Sequence, residues 1–79
     1  MMVWRFNELR DEYKRKTGHI LSIRTIAADT GLNKYTICRI SVGHTKQPDE
    51  HTMSALLIYL SDKLERPLQT GDLWRLVRD

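Results

Sequence analysis

Residues 21–43 of this chain read LSIRTIAADTGLNKYTICRISVG. Two short segments with apolar residues at helical spacing follow Ser22 and Asn33, residue types that favour a helix N-cap. Gly31 lies between the segments and supplies the left-handed backbone on which helices often end. The stretch therefore predicts one helix that ends at Asp29 or Thr30 and a second that runs from 33 to about 42, joined by a tight turn.

So short a turn makes the two helices cross steeply. Ala27 is small where a larger side chain would meet the following helix, and Gly31 accepts the positive φ that the corner needs. Four apolar side chains are expected to close the core beneath the corner: Ile26, Leu32, Ile37 and Ile40.

The outer face of the second helix is basic and rich in hydrogen-bonding groups, with Lys34, Tyr35, Cys38 and Arg39. A helix about 10–12 Å across fits the B-DNA major groove, which is about 12 Å wide. The pattern favours double-stranded DNA binding over the alternative, an αα-hairpin that binds no ligand.

Three further helices are predicted around this pair. The first carries apolar residues at intervals of three or four and ends at Thr17-Gly18: Val3, Phe6, Leu9 and Tyr13. The fourth begins at Asp49 or Thr52, cannot pass Pro67, and has the apolar stripe Met53, Leu56, Leu57, Leu60 and Leu64. The last is a short turn that Thr70 caps, containing Leu73, Trp74 and Val77. With weak β signals, the expected fold is all-α, a compact five-helix single domain over residues 1–79.

Composition agrees with one small globular domain. Hydrophobic residues make up 41% and charged residues 29% of the 79 residues, which is unlike a disordered chain. The net charge of +3 is concentrated in the first two-thirds of the sequence, which suits a polyanionic partner. The single cysteine, Cys38, excludes an internal disulfide. We expect a cytoplasmic protein with no signal peptide and no membrane association.

Residues 21–40 resemble the helix-turn-helix of the Cro/lambda-repressor type. The similarity extends to residues 3–10, to residues 43–49, to Thr52-Met53-x-x-Leu56 and to Gly71-Asp72-Leu73. The resemblance implies a five-helix repressor-like domain, with helices 2 and 3 as the helix-turn-helix. It implies a prokaryotic or phage transcriptional regulator, usually a repressor, that binds operator DNA, often as a two-fold homodimer.

The resemblance also implies a set of DNA-contacting residues. Lys34, Tyr35 and Arg39 occupy base-reading positions, and Asn33 and Thr36 lie near phosphates at the start of the same helix. Further backbone contacts are expected from the N-terminus of the second helix and from the loop after the third: Ser22, Arg24, His44 and Lys46.

Two positions depart from the family pattern. Ile23 stands where many members have a glutamine that supports a phosphate contact, so that contact is not expected here. Ser41 stands where many have a glutamate that pairs with an arginine of the first helix, so that ion pair is not expected either.

Other functions find less support in the sequence. No nucleophile motif, glycine-rich phosphate loop or carboxylate pair indicates an enzyme, and no cofactor or small-molecule ligand is expected. His19, His44 and His51 lack metal-ligand spacing, so no metal site is predicted. The alternative function is that of an antitoxin or protein-binding adaptor on the same fold.

Two residues, Cys38 and Trp74, each allow two interpretations. Cys38 is either a small half-exposed residue, which is favoured, or a thiol switch. Trp74 is expected to fold back over the bundle, with a dimer contact as the alternative.

Overall fold

The computed structural model describes residues 2–43 and 49–76, and for Met2 the backbone only. Its elements follow one another as β1 (Met2–Trp4), α1 (Phe6–Thr17), α2 (Ile23–Thr30), α3 (Lys34–Ser41), α4 (Glu50–Leu64), α5 (Thr70–Leu73) and β2 (Trp74–Leu76). The chain is mostly helical and measures 34 × 25 × 20 Å. The prediction of a compact arrangement of five helices is confirmed. Three residues of the sequence predictions, His44, Lys46 and Val77, lie outside the described ranges.

Side-chain caps fix where three of the helices begin. Ser22 Oγ accepts a hydrogen bond from the Thr25 amide at 3.1 Å, and Asn33 Oδ1 accepts one from the Tyr35 amide at 2.8 Å. Asp49 Oδ2 accepts from the Thr52 amide at 3.2 Å, so α4 starts at the first of its two predicted positions. Each bond satisfies an amide that has no acceptor inside its own helix.

The ends of α2 and α4 use left-handed backbone. Gly31 has φ +75°, and a Cβ built there meets no atom within 4 Å, so the backbone angle rather than space favours glycine. Glu65 ends α4 with φ 55° although it carries a side chain. Lys16 Nζ donates to the Leu64 carbonyl at 2.6 Å and thereby satisfies one of the unpaired carbonyls at that helix end.

The core lies between α4 and the other helices. Four members of the predicted α4 stripe are buried, and the fifth, Leu57, is half-buried against them. The buried apolar side chains are Phe6, Leu9, Leu21, Ile26, Ile37, Ile40, Met53, Leu56, Leu60, Leu64 and Leu73. Burial of each stabilises the fold by about 1.5–3 kcal/mol relative to exposure.

The two described ends of the chain form a small antiparallel sheet, which the sequence patterns did not predict. Met2 pairs with Leu76, and Trp4 pairs with Trp74. Consequently α1 begins at Phe6 rather than near Val3, and α5 stops before Trp74. Helical spacing was misleading here because strand pairing between distant segments leaves no local periodicity.

The N-cap of α5 also differs from the prediction. It is Gln69 rather than Thr70, and Asp72 accepts a hydrogen bond from the Gln69 amide at 2.8 Å. Both partners belong to one turn, so this helix start is fixed locally.

Two tryptophans cover one side of the core. The Trp4 and Trp74 ring centroids lie 6.0 Å apart, with the ring planes tilted by 34°. Both rings are half-buried against the core cluster. Trp74 therefore folds back over the bundle, as predicted.

Across residues 2–43 and 49–76, no helix has the length and apolar character required to cross a bilayer.

Candidate functional site

Helices α2 and α3, with the turn between them, form the unit that we call the α2–α3 pair, residues 22–43. Ile26, Ile37 and Ile40 point into the core, with exposed fractions of 0%, 0% and 1%. Ala27 and Leu32 are half-buried and pack against the same cluster. Of the four side chains expected beneath the corner, three are thus buried and Leu32 is half-buried, and the polar side of α3 faces outward.

That outward side of α3 carries the four residues of the predicted outer face. Lys34, Cys38 and Arg39 are exposed, and the Tyr35 side chain is 75% exposed. In the part of the chain that the structure describes, no carboxylate forms a salt bridge with Lys34 or Arg39. Within residues 2–43 and 49–76, both cations are exposed and lack an acidic partner.

The first turn of α2 offers further groups to an anion. Amides in the first turn of a helix lack acceptors within the helix, and the helix dipole makes this end electropositive. Arg24 is exposed in this turn and adds a full charge. Ser22 is half-buried, and its hydroxyl lies 2.9 Å from Thr25 Oγ1 as well as capping the helix.

Two predicted phosphate contacts are partly engaged by the protein itself, Asn33 through a hydrogen bond and Thr36 through partial burial. Asn33 caps α3 through its side-chain oxygen, so it has a structural role at the start of that helix. Thr36 is half-buried, in contrast to its exposed neighbour Tyr35. The structure thus leaves Lys34, Tyr35 and Arg39 as the most accessible predicted contacts on α3.

Two residues outside the predicted site, Asn7 and Arg10, tie α1 to the α2–α3 pair. Arg10 Nε donates to the Leu21 carbonyl at 2.8 Å, and Arg10 Nη1 donates to Asn7 Oδ1 at 3.0 Å. Asn7 Nδ2 in turn donates to the Ser41 carbonyl at 2.7 Å. We call this chain of three hydrogen bonds the α1 brace.

The α1 brace ends at the backbone carbonyl of Ser41. Arg10 reaches the Leu21 carbonyl, and Asn7 accepts from Arg10 and donates to Ser41. The spacing of three residues on one helix was a signal that Asn7 and Arg10 share a face. Nothing in the sequence marks a backbone carbonyl as the acceptor.

Several acidic side chains are engaged in contacts between elements. The Tyr59 hydroxyl donates to Asp29 Oδ2 at 2.6 Å, joining α4 to α2. Burial, with the neighbouring Asp29 carboxylate, raises the pKa of the Tyr59 hydroxyl above its usual range. Arg66 donates from two nitrogens to the two oxygens of Glu12, at 2.8 Å each.

This ion pair changes the titration of both partners. Hydrogen bonding from Arg66 lowers the pKa of the Glu12 carboxyl and, conversely, Glu12 raises the pKa of Arg66. Glu12 lies on α1 and Arg66 follows α4, so the pair holds the start of the C-terminal segment against the first helix.

Residues 2–43 and 49–76 contain no group of three or more His, Cys, Asp or Glu side chains that could hold a metal ion.

No protein-family model matches this chain, and no curated protein or solved structure does so either. A function for this site is therefore inferred from the chemistry of the exposed face of α3 and the start of α2. Exposed cations, an exposed phenol and electropositive helix starts all suit a polyanionic ligand.

Proposed function

We propose that this protein binds double-stranded DNA sequence-specifically, as a small transcriptional regulator with a helix-turn-helix of the Cro/lambda-repressor type. In this proposal α2 and α3 are the helix-turn-helix, and α3 lies in the major groove. One observation carries it: Lys34 and Arg39 project from α3 without a carboxylate partner among the described residues, while Ile37 and Ile40 anchor the opposite side of that helix.

The exposed residues of α3 have the chemistry that base recognition needs. The planar guanidinium of Arg39 can donate two hydrogen bonds to O6 and N7 of one guanine, which distinguishes base pairs by about 1–3 kcal/mol. Lys34 can reach the same acceptors or a phosphate as a point charge. Tyr35 offers a ring to a thymine methyl group and a hydroxyl to a phosphate.

Phosphate contacts would fix how the domain sits on the duplex. The first turn of α2, with Ser22 and Arg24, offers amides, a hydroxyl and a cation to one phosphate. At the start of α3, Asn33 and Thr36 are proposed to lie near a second. His44 and Lys46, outside the described residues, are proposed to contact the backbone beyond the major groove.

Helix α3, which would read the bases, is short, and this favours binding by two copies of the protein. With eight residues, α3 can read only a few base pairs. A homodimer would double the site, and its half-sites would be about 34 Å apart on one side of the duplex.

Titration of the protein into a labelled random duplex, followed by fluorescence anisotropy at several salt concentrations, tests this proposal. Each phosphate that a side chain neutralises should add about 0.9 to the negative slope of log K against log salt concentration. We expect a slope of about −3 or steeper for the contacts proposed here. Failure to bind duplex at low salt, or binding that salt leaves unchanged, contradicts the proposal and favours a protein-binding adaptor.

A second measurement tests the sequence-specific part. Rounds of selection from a randomised duplex should enrich one motif, which this protein then binds at least about 10³-fold more tightly than random DNA. Salt-sensitive binding without enrichment would restrict the function to non-specific DNA association.

A further inference from the structure

The α1 brace connects the two ends of the α2–α3 pair. Leu21, whose carbonyl accepts from Arg10, directly precedes Ser22, the N-cap of α2. Ser41, whose carbonyl accepts from Asn7, is the last residue of α3. One guanidinium and one carboxamide on α1 thus hold the entry of one helix and the exit of the other.

The brace is well anchored on its own helix. The Arg10 guanidinium lies over the Phe6 ring, 5.7 Å from its centroid, and Phe6 is fully buried. Arg10 is itself half-buried, and its hydrogen bond to the Leu21 carbonyl is partly shielded from water. A planar group with several fixed donors can hold two acceptors at once, which an ammonium on a flexible stem does less well.

We propose that Asn7 and Arg10 are positioning residues for DNA binding. They set the distance between the first turn of α2 and the far end of α3, so that both reach one duplex together. This inference rests on the proposed function, because it concerns how the same site meets its ligand. Neither side chain needs to touch DNA in this role.

A positioning role differs measurably from a purely structural one. Attraction to random duplex depends on the number of surface cations, which loosening of the pair leaves unchanged. Base contacts need side chains in a fixed geometry, so loosening should weaken binding to the selected site much more. A variant that merely unfolded would lose both kinds of binding in proportion.

Asn7→Ala is the central variant because it removes the bond to Ser41 without changing net charge. Arg10→Lys is the second variant, since it keeps the charge but cannot reproduce the fork of donors. Ser54→Ala, an uncharged change at an exposed position of α4, is the control. All four proteins are titrated into the selected and the random duplex, at a temperature where circular dichroism shows each of them folded.

We expect both brace variants to bind the selected duplex about tenfold more weakly, the effect of losing about 1.4 kcal/mol. Binding to random duplex should change less than about twofold, and Ser54→Ala should match the unaltered protein on both. Equal fold losses of affinity for the two duplexes, which leave the ratio of affinities unchanged, would overturn the positioning role. Absence of duplex binding by the unaltered protein would instead overturn the proposed function, and the role of the brace in DNA binding with it.

Amide hydrogen exchange gives a readout that does not depend on DNA. Loss of the Asn7 bond should speed exchange at the Val42 and Gly43 amides, which close the last turn of α3. The Leu60 amide in the middle of α4 should keep its protection. If Asn7→Ala leaves the end of α3 as protected as before, the brace does not hold it and the inference is wrong.

Discussion

Arg39 is the residue on which the proposed sequence-specificity depends most. We predict that Arg39→Ala reduces the ratio of selected-site to random-duplex affinity by about tenfold or more, because one bidentate base contact is lost. Anisotropy titrations against both duplexes measure this ratio directly. A variant that weakens both affinities alike would show that Arg39 contacts phosphate rather than a base.

Arg75 provides a matched control for this change. It is also an exposed arginine, and it lies in β2, outside the α2–α3 pair. Arg75→Ala removes the same charge, so it should reproduce any loss that comes from net charge alone. We expect it to leave the ratio of affinities unchanged.

Gly31 allows a separate test at a single backbone position. Because its φ is +75° and a Cβ would meet no neighbouring atom, Gly31→Ala should lower the free energy of unfolding by about 1–2 kcal/mol through backbone conformation alone. Urea denaturation followed by circular dichroism measures the loss. Gly71→Ala, at a glycine without positive φ and with equally open surroundings, should be neutral or slightly stabilising. Similar losses for both variants would contradict this explanation.

Among the elements, the helix starts around the α2–α3 pair were predictable because their causes are local. The caps Ser22 and Asn33 bond amides two or three residues further along the chain, and Gly31 acts on its own backbone. The burial of Ile37 and Ile40 followed from helical spacing. Each of these signals fits within one turn or one face of a helix.

The contacts between distant elements were not predictable from the same patterns. Met2 and Leu76 pair across almost the whole sequence, and Glu12 meets Arg66 across 54 positions. Asn7 of the α1 brace bonds a carbonyl, a group that every residue carries. Such partners are set by how the helices pack. Patterns within short stretches of a single sequence therefore do not identify them.

The ion pair between α1 and the segment after α4 makes stability depend on pH. The pKa of Glu12 is lowered in the folded protein by Arg66, so this contribution is complete above the ordinary glutamate pKa of about 4.3. It is lost as the pH falls through the lowered value, because the unfolded state then binds the proton more readily.

We predict that Glu12→Gln destabilises the protein by about 0.5 kcal/mol at pH 7, a small effect because both side chains are partly exposed. The difference from the unaltered protein should shrink as the pH is lowered below the ordinary glutamate pKa of about 4.3. Urea titrations at pH 7 and at a series of acidic pH values measure it. Asp11→Asn, on the same helix but outside the ion pair, is the control. If Glu12→Gln and Asp11→Asn changed the free energy of unfolding equally, the ion pair would not be a source of stability.

For the whole molecule, the sheet of β1 and β2 joins segments from the two ends of the described chain. Trp74 belongs both to this sheet and to the half-buried layer over the core. We predict that Trp74→Ala lowers the free energy of unfolding by about 2 kcal/mol, less than the full cost for a completely buried tryptophan. Thermal and urea unfolding measure this loss.

Leu76→Ala is the matched variant in the same strand. The Leu76 side chain is 53% exposed, so its truncation should cost well under about 1 kcal/mol. Equal destabilisation by the two changes would mean that strand pairing, rather than cover of the core by the indole, is what stabilises this part of the molecule.

The contact between Trp4 and Trp74 also gives the molecule an internal optical reporter. The two indoles, the only tryptophans in the chain, come from segments that meet only when the strands pair. If that pairing opens locally while the helices stay folded, the emission of the indoles shifts and far-ultraviolet ellipticity does not. Stopped-flow fluorescence can therefore time the closing of the chain separately from the formation of its helices, with no added dye.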